Sequence, residues 1–238
     1  MRPSAHPWLP GVHPSQAADE PDLYDVENDA VDPGRLIESA MWAIAPWTDR
    51  IVLDLGCGTG YHLPRFAEAA RHVIGVEPHA GLRLRAMRRV VDEGLSNASV
   101  LLGAAEAVPL VDHSVDIVHA RFAFFMGPEC APGIAEVRRL LRPGGTFFVI
   151  ENDYREGRFA DWLRRSWRPG FDADADDAFW RDQGFGCTSI PSEWRFTRRR
   201  DLEAVVRLEF RQYADALLAE HEGLSVDYRY RLLHRTVT

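Results

Sequence analysis

Lysine is absent from this chain of 238 residues, so all 28 of its strongly basic side chains are arginine. We read that as a compositional bias of the genome and not as a functional signature. Positive charge is not in excess either. Against 36 acidic residues the formal net charge is −8, which argues against a general nucleic-acid surface and leaves room only for a local basic patch. Cysteine is scarce: Cys57, Cys130 and Cys187 lie far apart and lack metal-ligand spacing. No apolar run approaches the length of a membrane span. The N-terminus carries prolines and polar residues where a secretion signal would carry an apolar core. These absences lead us to expect a reduced, cytoplasmic protein with no membrane partner and no metal.

What is present is ordinary for a globular chain, 46% hydrophobic and 27% charged. Residues 1–21 contain Pro3, Pro7, Pro10 and Pro14 and read as a flexible arm. The remainder, 22–238, reads as a single domain. Pro33 opens a helical pattern through Leu36, Ile37, Ala40, Met41 and Ile44, and Pro46 ends it. The next hundred or so residues alternate strand and helix patterns, which implies a parallel sheet. Strands are expected at Ile51–Leu55, His72–Val76, Ser99–Leu102, Asp116–Ala120 and Thr146–Asn152, and helices at His62–Ala70, Ala80–Gly94 and Gly133–Leu141. Pro143-Gly144-Gly145 marks a turn before the fifth of these strands. Further on, Asp201–Ala219 is helical in pattern and Val226–Val237 has the period-two character of a final strand.

The most specific stretch is Val52-Leu53-Asp54-Leu55-Gly56-Cys57-Gly58-Thr59-Gly60. An apolar strand pattern ends in an acid, glycines follow at alternate positions, and a helical pattern begins near His62. This is a strand–turn–helix nucleotide-binding corner. Cys57 sits where the turn needs a small side chain. The dinucleotide fingerprint requires its third glycine one place later, where this chain has Tyr61. A dinucleotide would also bring its pyrophosphate to the helix N-terminus, where Asp54 would repel it; a cation would be attracted. Glu77 ends the next strand pattern, the place where an acidic residue accepts hydrogen bonds from ribose hydroxyls.

These residues resemble motif I of the class I S-adenosylmethionine-dependent methyltransferases. Gly103-Ala104-Ala105-Glu106-Ala107-Val108-Pro109-Leu110, followed by Asp112 and Ser114-Val115-Asp116-Ile117-Val118, is similar to the adenine-loop segment of the branch called methyltransferase type 11. Leu140-Leu141-Arg142-Pro143-Gly144-Gly145 matches the turn before that family's fifth strand. The resemblance spans about Ile51 to Asn152. It implies a Rossmann-like, doubly wound α/β fold with a mostly parallel seven-stranded sheet whose last strand is antiparallel. It implies S-adenosylmethionine as cofactor, with Asp54 near the ammonium group, Gly56, Cys57, Gly58 and Gly60 under the methionine part, Glu77 and Pro78 at the ribose, and Ala105 and Glu106 near the adenine. Ala104 stands where the branch usually places an aspartate against the adenine amino group.

The fourth strand pattern ends in Arg121 and Phe122, candidates for the ligand crevice at the C-terminal sheet edge, with Phe124 and Phe125 read equally well as core. No catalytic dyad or triad is visible, and the base, if any, is unknown. His119, Tyr24 and His62 are candidates by position, each read first as structural. Tyr154–Trp194 is rich in Trp and Phe; it is either an acceptor pocket or lid, or the core of a small lobe. The segment with Tyr24, Glu27 and Asn28 is a second candidate cover. Asp172, Asp174, Asp176 and Asp177 resemble the opening of a calcium loop, but Asp177 and Gln183 occupy the positions that need glycine and glutamate. They read instead as a solvated acidic loop or helix start. Arg198-Arg199-Arg200 reads as a solvated helix start before it reads as a phosphate site. The expected function is methyl transfer to a small-molecule oxygen, nitrogen or carbon nucleophile by in-line displacement. A non-catalytic cofactor-binding protein is the alternative, ahead of a nucleic-acid methyltransferase and a nicotinamide-dependent reductase.

Overall fold

The computed structural model describes residues 18–123, 127–166 and 169–238. Its strands are β1 (Ile51–Leu55), β2 (His72–Glu77), β3 (Ala98–Leu102), β4 (Val115–Arg121), β5 (Leu141–Asn152), β6 (Gly186–Arg195) and β7 (Ser225–Thr236). Its helices are α1 (Pro21–Ala30), α2 (Leu36–Ile44), α3 (Leu63–Ala67), α4 (Ala80–Asp92), α5 (Ala131–Leu140), α6 (Arg158–Ser166), α7 (Ala173–Asp182), α8 (Arg199–Phe210) and α9 (Ala214–Ala219). The strands form one sheet in the order β3-β2-β1-β4-β5-β7-β6. β1 pairs in parallel with β2 and β4, and β2 with β3. β7 is antiparallel to β6. It is antiparallel to β5 as well, because Gly144 N–H donates to the Val237 carbonyl (2.8 Å) while Asp153 N–H donates to that of Arg229 (3.0 Å). Partner numbers fall as those of β5 rise. The fold is therefore the expected Rossmann-like, mostly parallel seven-stranded sheet with its last strand antiparallel. The residues group into two compact units, one containing Ala45–Phe148 and Arg235–Thr238, the other Glu20–Ile44 and Val149–His234.

In the first unit, Val52, Leu53 and Leu55 are all buried, the near-continuous apolar run that a strand covered on both faces requires. Asp116 ties the start of this strand in place: its carboxylate accepts the Ile51 N–H at 2.8 Å and the Arg142 guanidinium at 3.0 Å. The helix expected at His62–Ala70 contracts to Leu63–Ala67, because its last turn tightens and Ala69 N–H meets the Phe66 carbonyl (3.2 Å). β5 begins earlier than the expected Thr146. The Pro143-Gly144-Gly145 turn is drawn into the strand by the pairing of Gly144 with Val237.

In the second unit, α2 starts at Leu36 and not at Pro33. The Asp32 carboxylate accepts the N–H groups of Leu36 (3.0 Å) and Ile37 (2.9 Å), and Ser192 Oγ donates to it at 2.8 Å. The helical pattern of Asp201–Ala219 breaks into α8 and α9 at Arg211, whose φ is 46°. The Tyr154–Trp194 stretch is α6, α7 and most of β6, a strand not anticipated within it. Its large aromatics are mainly core. Trp162, Trp180 and Trp194 are buried, and Phe159 stacks on Tyr228 (3.8 Å between centroids) and meets Trp194 at 4.5 Å. The acidic run is a helix start, with Asp172 and Asp174 exposed and Asp176 and Asp177 turned to a partner. Asp172 caps α7 by accepting the N–H groups of Asp174 (3.0 Å) and Ala175 (2.9 Å), while Asp176 and Asp177 bind the buried Arg231. In the arginine run, Arg198 pairs with Asp201 (2.7 Å) and Arg199 with Glu203 (2.9 Å). Among the described residues no group of three or more His, Cys, Asp or Glu could hold a metal ion, and no helix is long and apolar enough to cross a membrane. Most of the expected N-terminal arm, Trp167, Phe124 and Phe125 lie outside the described residues.

Candidate active site

The site is built where β1 and β2 end. Gly56 N–H and Cys57 N–H both donate to the Val76 carbonyl (2.8 and 3.1 Å), which folds the glycine turn back onto the end of β2. Gly56 and Gly60 both have φ of 78°, a left-handed conformation that side chains disfavour. A Cβ on Gly56 would stand 2.7 Å from Ala123 Cβ, and one on Gly60 would stand 2.9 Å from Ala86 Cβ. Two of the three glycines are therefore demanded by the protein's own packing. Cys57 nests against Gly75 of β2, where a Cβ would come within 2.8 Å of its sulfur. Burial, with the nearby Asp54 and Glu77 charges, pushes its thiol well above the ordinary range. Cys57 and Cys130 are buried and Cys187 is exposed, so a thiol titration of the native protein is expected to read about one reactive group, rising to three on unfolding. A native count near three would contradict this packing.

Two carboxylates flank the turn. Glu77 is buried at the end of β2; its Oε2 accepts Gly58 N–H at 2.9 Å and its Oε1 accepts His79 N–H at 2.8 Å. Burial pushes its pKa up to about 7, with the Asp54 charge acting in the same direction and the two backbone N–H groups opposing. Asp54 is 2% exposed. Its Oδ1 lies 2.8 Å from His119 Nδ1, and its Oδ2 is buried with no hydrogen-bond partner among the described residues. His119 is the direct register partner of Asp54 across β1 and β4. His119 is buried and its Nδ1 is held by Asp54, which fits its reading as a structural residue first. His62 packs edge-on against His119 at 5.4 Å between centroids. Burial, followed by the charges of Arg121, His119 and Arg89, holds His62 well below the usual imidazole pKa. Tyr24, the third candidate, lies on α1 of the second unit.

The segment after β3 forms a tight turn in which Ala107 N–H donates to the Ala104 carbonyl (3.1 Å). Ala105 is buried in it and Glu106 is exposed. Arg139 of α5, which carries no sequence motif, fixes the chain beyond this turn. It donates to the carbonyls of Leu110 (2.9 Å) and Val108 (3.2 Å), to Asp112 (2.6 Å) and to Glu136 (2.7 Å), and Glu136 accepts Val108 N–H at 2.8 Å. Arg139→Met removes the donor shared by these acceptors, of which Glu136 and the Val108 carbonyl keep a backbone N–H, and is expected to cost about 2 kcal/mol, read as a lowered urea midpoint with an unchanged slope. At the end of β4, the Arg121 guanidinium lies 5.5 Å from the Phe122 ring centroid. Phe122 has φ of 47°, a strain of roughly 1–2 kcal/mol for a bulky residue. Pro78 is half-buried beside Glu77.

A buried carboxylate oxygen with no hydrogen-bond partner among the described residues, a glycine turn and a second carboxylate thus meet at the ends of β1 and β2. Comparison with known proteins gives the following matches. A family model described as a methyltransferase domain matches residues 52–145. An uncharacterized methyltransferase of Mycobacterium tuberculosis is 38% identical over 127 residues, 53% of this chain and 49% of the relative. A tRNA U34 carboxymethyltransferase of Shewanella amazonensis is 33% identical over 117 residues, 46% of this chain and 35% of the relative. The chain thus spans about half or less of the length of these curated relatives. The crystal structure of an S-adenosylmethionine-dependent methyltransferase from Aquifex aeolicus shares the fold, with a TM-score of 0.55 and 18% identity over 89% of this chain and 98% of that one. Residues 52–145 thus match a methyltransferase domain, on a Rossmann-like fold shared with a solved S-adenosylmethionine-dependent methyltransferase.

Proposed function

We propose that the protein transfers the methyl group of S-adenosylmethionine to an oxygen, nitrogen or carbon nucleophile of a small molecule. The observation that carries this reading is Asp54 Oδ2, buried beside the glycine turn with no hydrogen-bond partner among the described residues. Such an atom is costly unless a cation or donor meets it, and the cofactor's ammonium group is both. In this reading Asp54 takes the ammonium group. The backbone of Gly56, Cys57, Gly58 and Gly60 runs under the methionine part. Each Glu77 oxygen keeps an acceptor direction for a ribose hydroxyl after taking its backbone N–H, and Pro78 borders the ribose. The Ala105 N–H meets the adenine, with the exposed Glu106 at the rim. Arg121 flanks the site at the end of β4.

When bound, S-adenosylmethionine supplies a methyl group activated for in-line displacement. The protein's own contribution is alignment, which can account for much of the rate. No general base is assigned: His119 is nearly inaccessible to solvent, and a depressed pKa makes His62 a weak base. Within Tyr154–Trp194, the candidates for acceptor selection are Phe171 and Phe179, which stay half-buried while the other described aromatics of the stretch are core. The small-molecule reading is supported by the net charge of −8 and by the internal pairing of Arg198 and Arg199.

Calorimetry with S-adenosylhomocysteine tests the cofactor, and release of S-adenosylhomocysteine across a panel of amines, phenols and carbon acids tests the acceptor. No binding would sink the reading; binding without turnover on any acceptor would favour a cofactor-binding protein that does not catalyse. The tRNA-modifying relative favours a second reading, a nucleic-acid acceptor. That reading predicts RNA binding that weakens steeply between about 50 and 200 mM salt.

A further inference from the structure

We infer that His119 is a positioning residue that sets the cofactor's cationic end by holding the Asp54 carboxylate; this rests on the reading of Asp54 proposed above. Asp54 and His119 are opposite one another on adjacent parallel strands, both nearly inaccessible to solvent, with Nδ1 and Oδ1 2.8 Å apart. An ionised carboxylate only accepts, so the shared hydrogen is on His119 Nδ1. One oxygen is thereby fixed, and the other, Oδ2, is buried with no hydrogen-bond partner among the described residues. A carboxylate held at one oxygen cannot rotate, so the direction in which Oδ2 presents its charge is set before any ligand arrives. The groups packed on the His119 ring are themselves fixed: Phe66 lies edge-on at 5.0 Å and His62 at 5.4 Å. His62 is held uncharged by its burial and by Arg121, so it does not compete for Asp54 as a second cation.

Without the His119 donor both Asp54 oxygens would be buried and unpaired. The carboxyl would then be free to rotate, and its charge would no longer be aimed at an ammonium group. The loss falls on the amino-acid end of the ligand alone. It therefore separates two probes, S-adenosylhomocysteine, which carries the ammonium group, and methylthioadenosine, which shares the adenosine and the sulfur but lacks it.

The test is calorimetric titration of the full chain and its variants with both compounds. His119→Leu is expected to weaken S-adenosylhomocysteine about tenfold, the scale of one charge-assisted hydrogen bond, with methylthioadenosine affinity unchanged. His119→Asn, whose amide nitrogen can occupy the place of Nδ1, is expected to restore S-adenosylhomocysteine binding. His119→Gln, whose amide reaches the far side of the ring position, is expected to behave as the leucine variant; it replaces that variant if His119→Leu does not fold. Equal weakening of both probes, or retention of S-adenosylhomocysteine affinity in the leucine and glutamine variants, would overturn the inference. A wild-type protein that binds neither compound would instead overturn the methyl-donor reading on which it rests.

Discussion

Replacing Arg231 by methionine is expected to remove about 3–5 kcal/mol of unfolding free energy, the cost of leaving a buried charge without its partner. Arg231 lies on β7 and is 4% exposed. Its guanidinium meets Asp176 at 2.5 Å and Asp177 at 2.6 Å, both on α7. The two carboxylates do not lose equally. Asp177 is partly open to solvent and also meets Arg155 at 2.7 Å, so it keeps a cation. The Asp176 side chain is 9% exposed, and no other ion pair to it is found among the described residues. Most of the penalty should fall on Asp176, so Arg231→Met combined with Asp176→Asn is expected to recover more than half of the loss. Urea unfolding followed by fluorescence provides the measurement, with Trp180, buried on the same helix, as the local reporter. A loss below about 1 kcal/mol in the single variant would put the pair in the class of solvent-exposed bridges. The exposed pair of Arg165 and Glu220, at 2.7 and 2.8 Å, provides the contrast. Water can replace either partner there, and its removal should leave the urea midpoint nearly unchanged.

Parts of this molecule were legible in the sequence where the deciding residues are neighbours along the chain. The corner from Val52 to Gly60 carries its own strand, acid and turn. Glu77 follows at the end of the next strand, so strand alternation alone brings it to the turn. Where the partner is distant, the sequence does not name it. The acids of α7 read as a helix start, but Arg231 reaches Asp176 and Asp177 from β7, 55 and 54 positions away. His119 reads first as structural, but its partner Asp54, 65 positions away, emerges only when the sheet order sets β4 against β1. Arg139 carries no motif because its acceptors are mostly backbone carbonyls, which any sequence supplies. β6 escaped for a different reason. It is an edge strand, contains Pro191, and buries fully only Ile190 and Trp194; its alternation is weak and proline is tolerated at an edge. The aromatic stretch of α6 to β6 was compatible with either a pocket or a core from composition alone. Only packing distinguishes a tryptophan that faces a ligand from one that faces another tryptophan.

Glu77 is expected to make stability fall as pH rises, the opposite of a salt-bridged carboxylate. Its folded pKa of about 7 stands above the ordinary value of 4.5. Between those values the folded chain holds a proton that the unfolded chain has released, so the slope of unfolding free energy against pH is negative. The contribution is fully present below about pH 4.5 and is lost as pH passes through 7; from the 2.5-unit separation its size is about 3 kcal/mol. Glu209, also raised to about 7 by burial, should tilt the same curve, so the measurement is the difference between wild type and Glu77→Gln. The variant should be less stable overall, because an amide nitrogen cannot accept the N–H of Gly58 or of His79. Its curve should nevertheless be flatter from pH 5 to 8 by about 3 kcal/mol. Parallel curves would mean that Glu77 is already ionised in the folded protein at pH 5. The same proton links to the cofactor. Ribose hydroxyls donating to Glu77 favour its ionised form, so S-adenosylhomocysteine binding at pH 7 should expel about half a proton. Titration in two buffers of different ionisation enthalpy would detect that release, and Glu77→Gln should abolish it. Binding with no proton release in the wild type would place the ribose elsewhere than on Glu77.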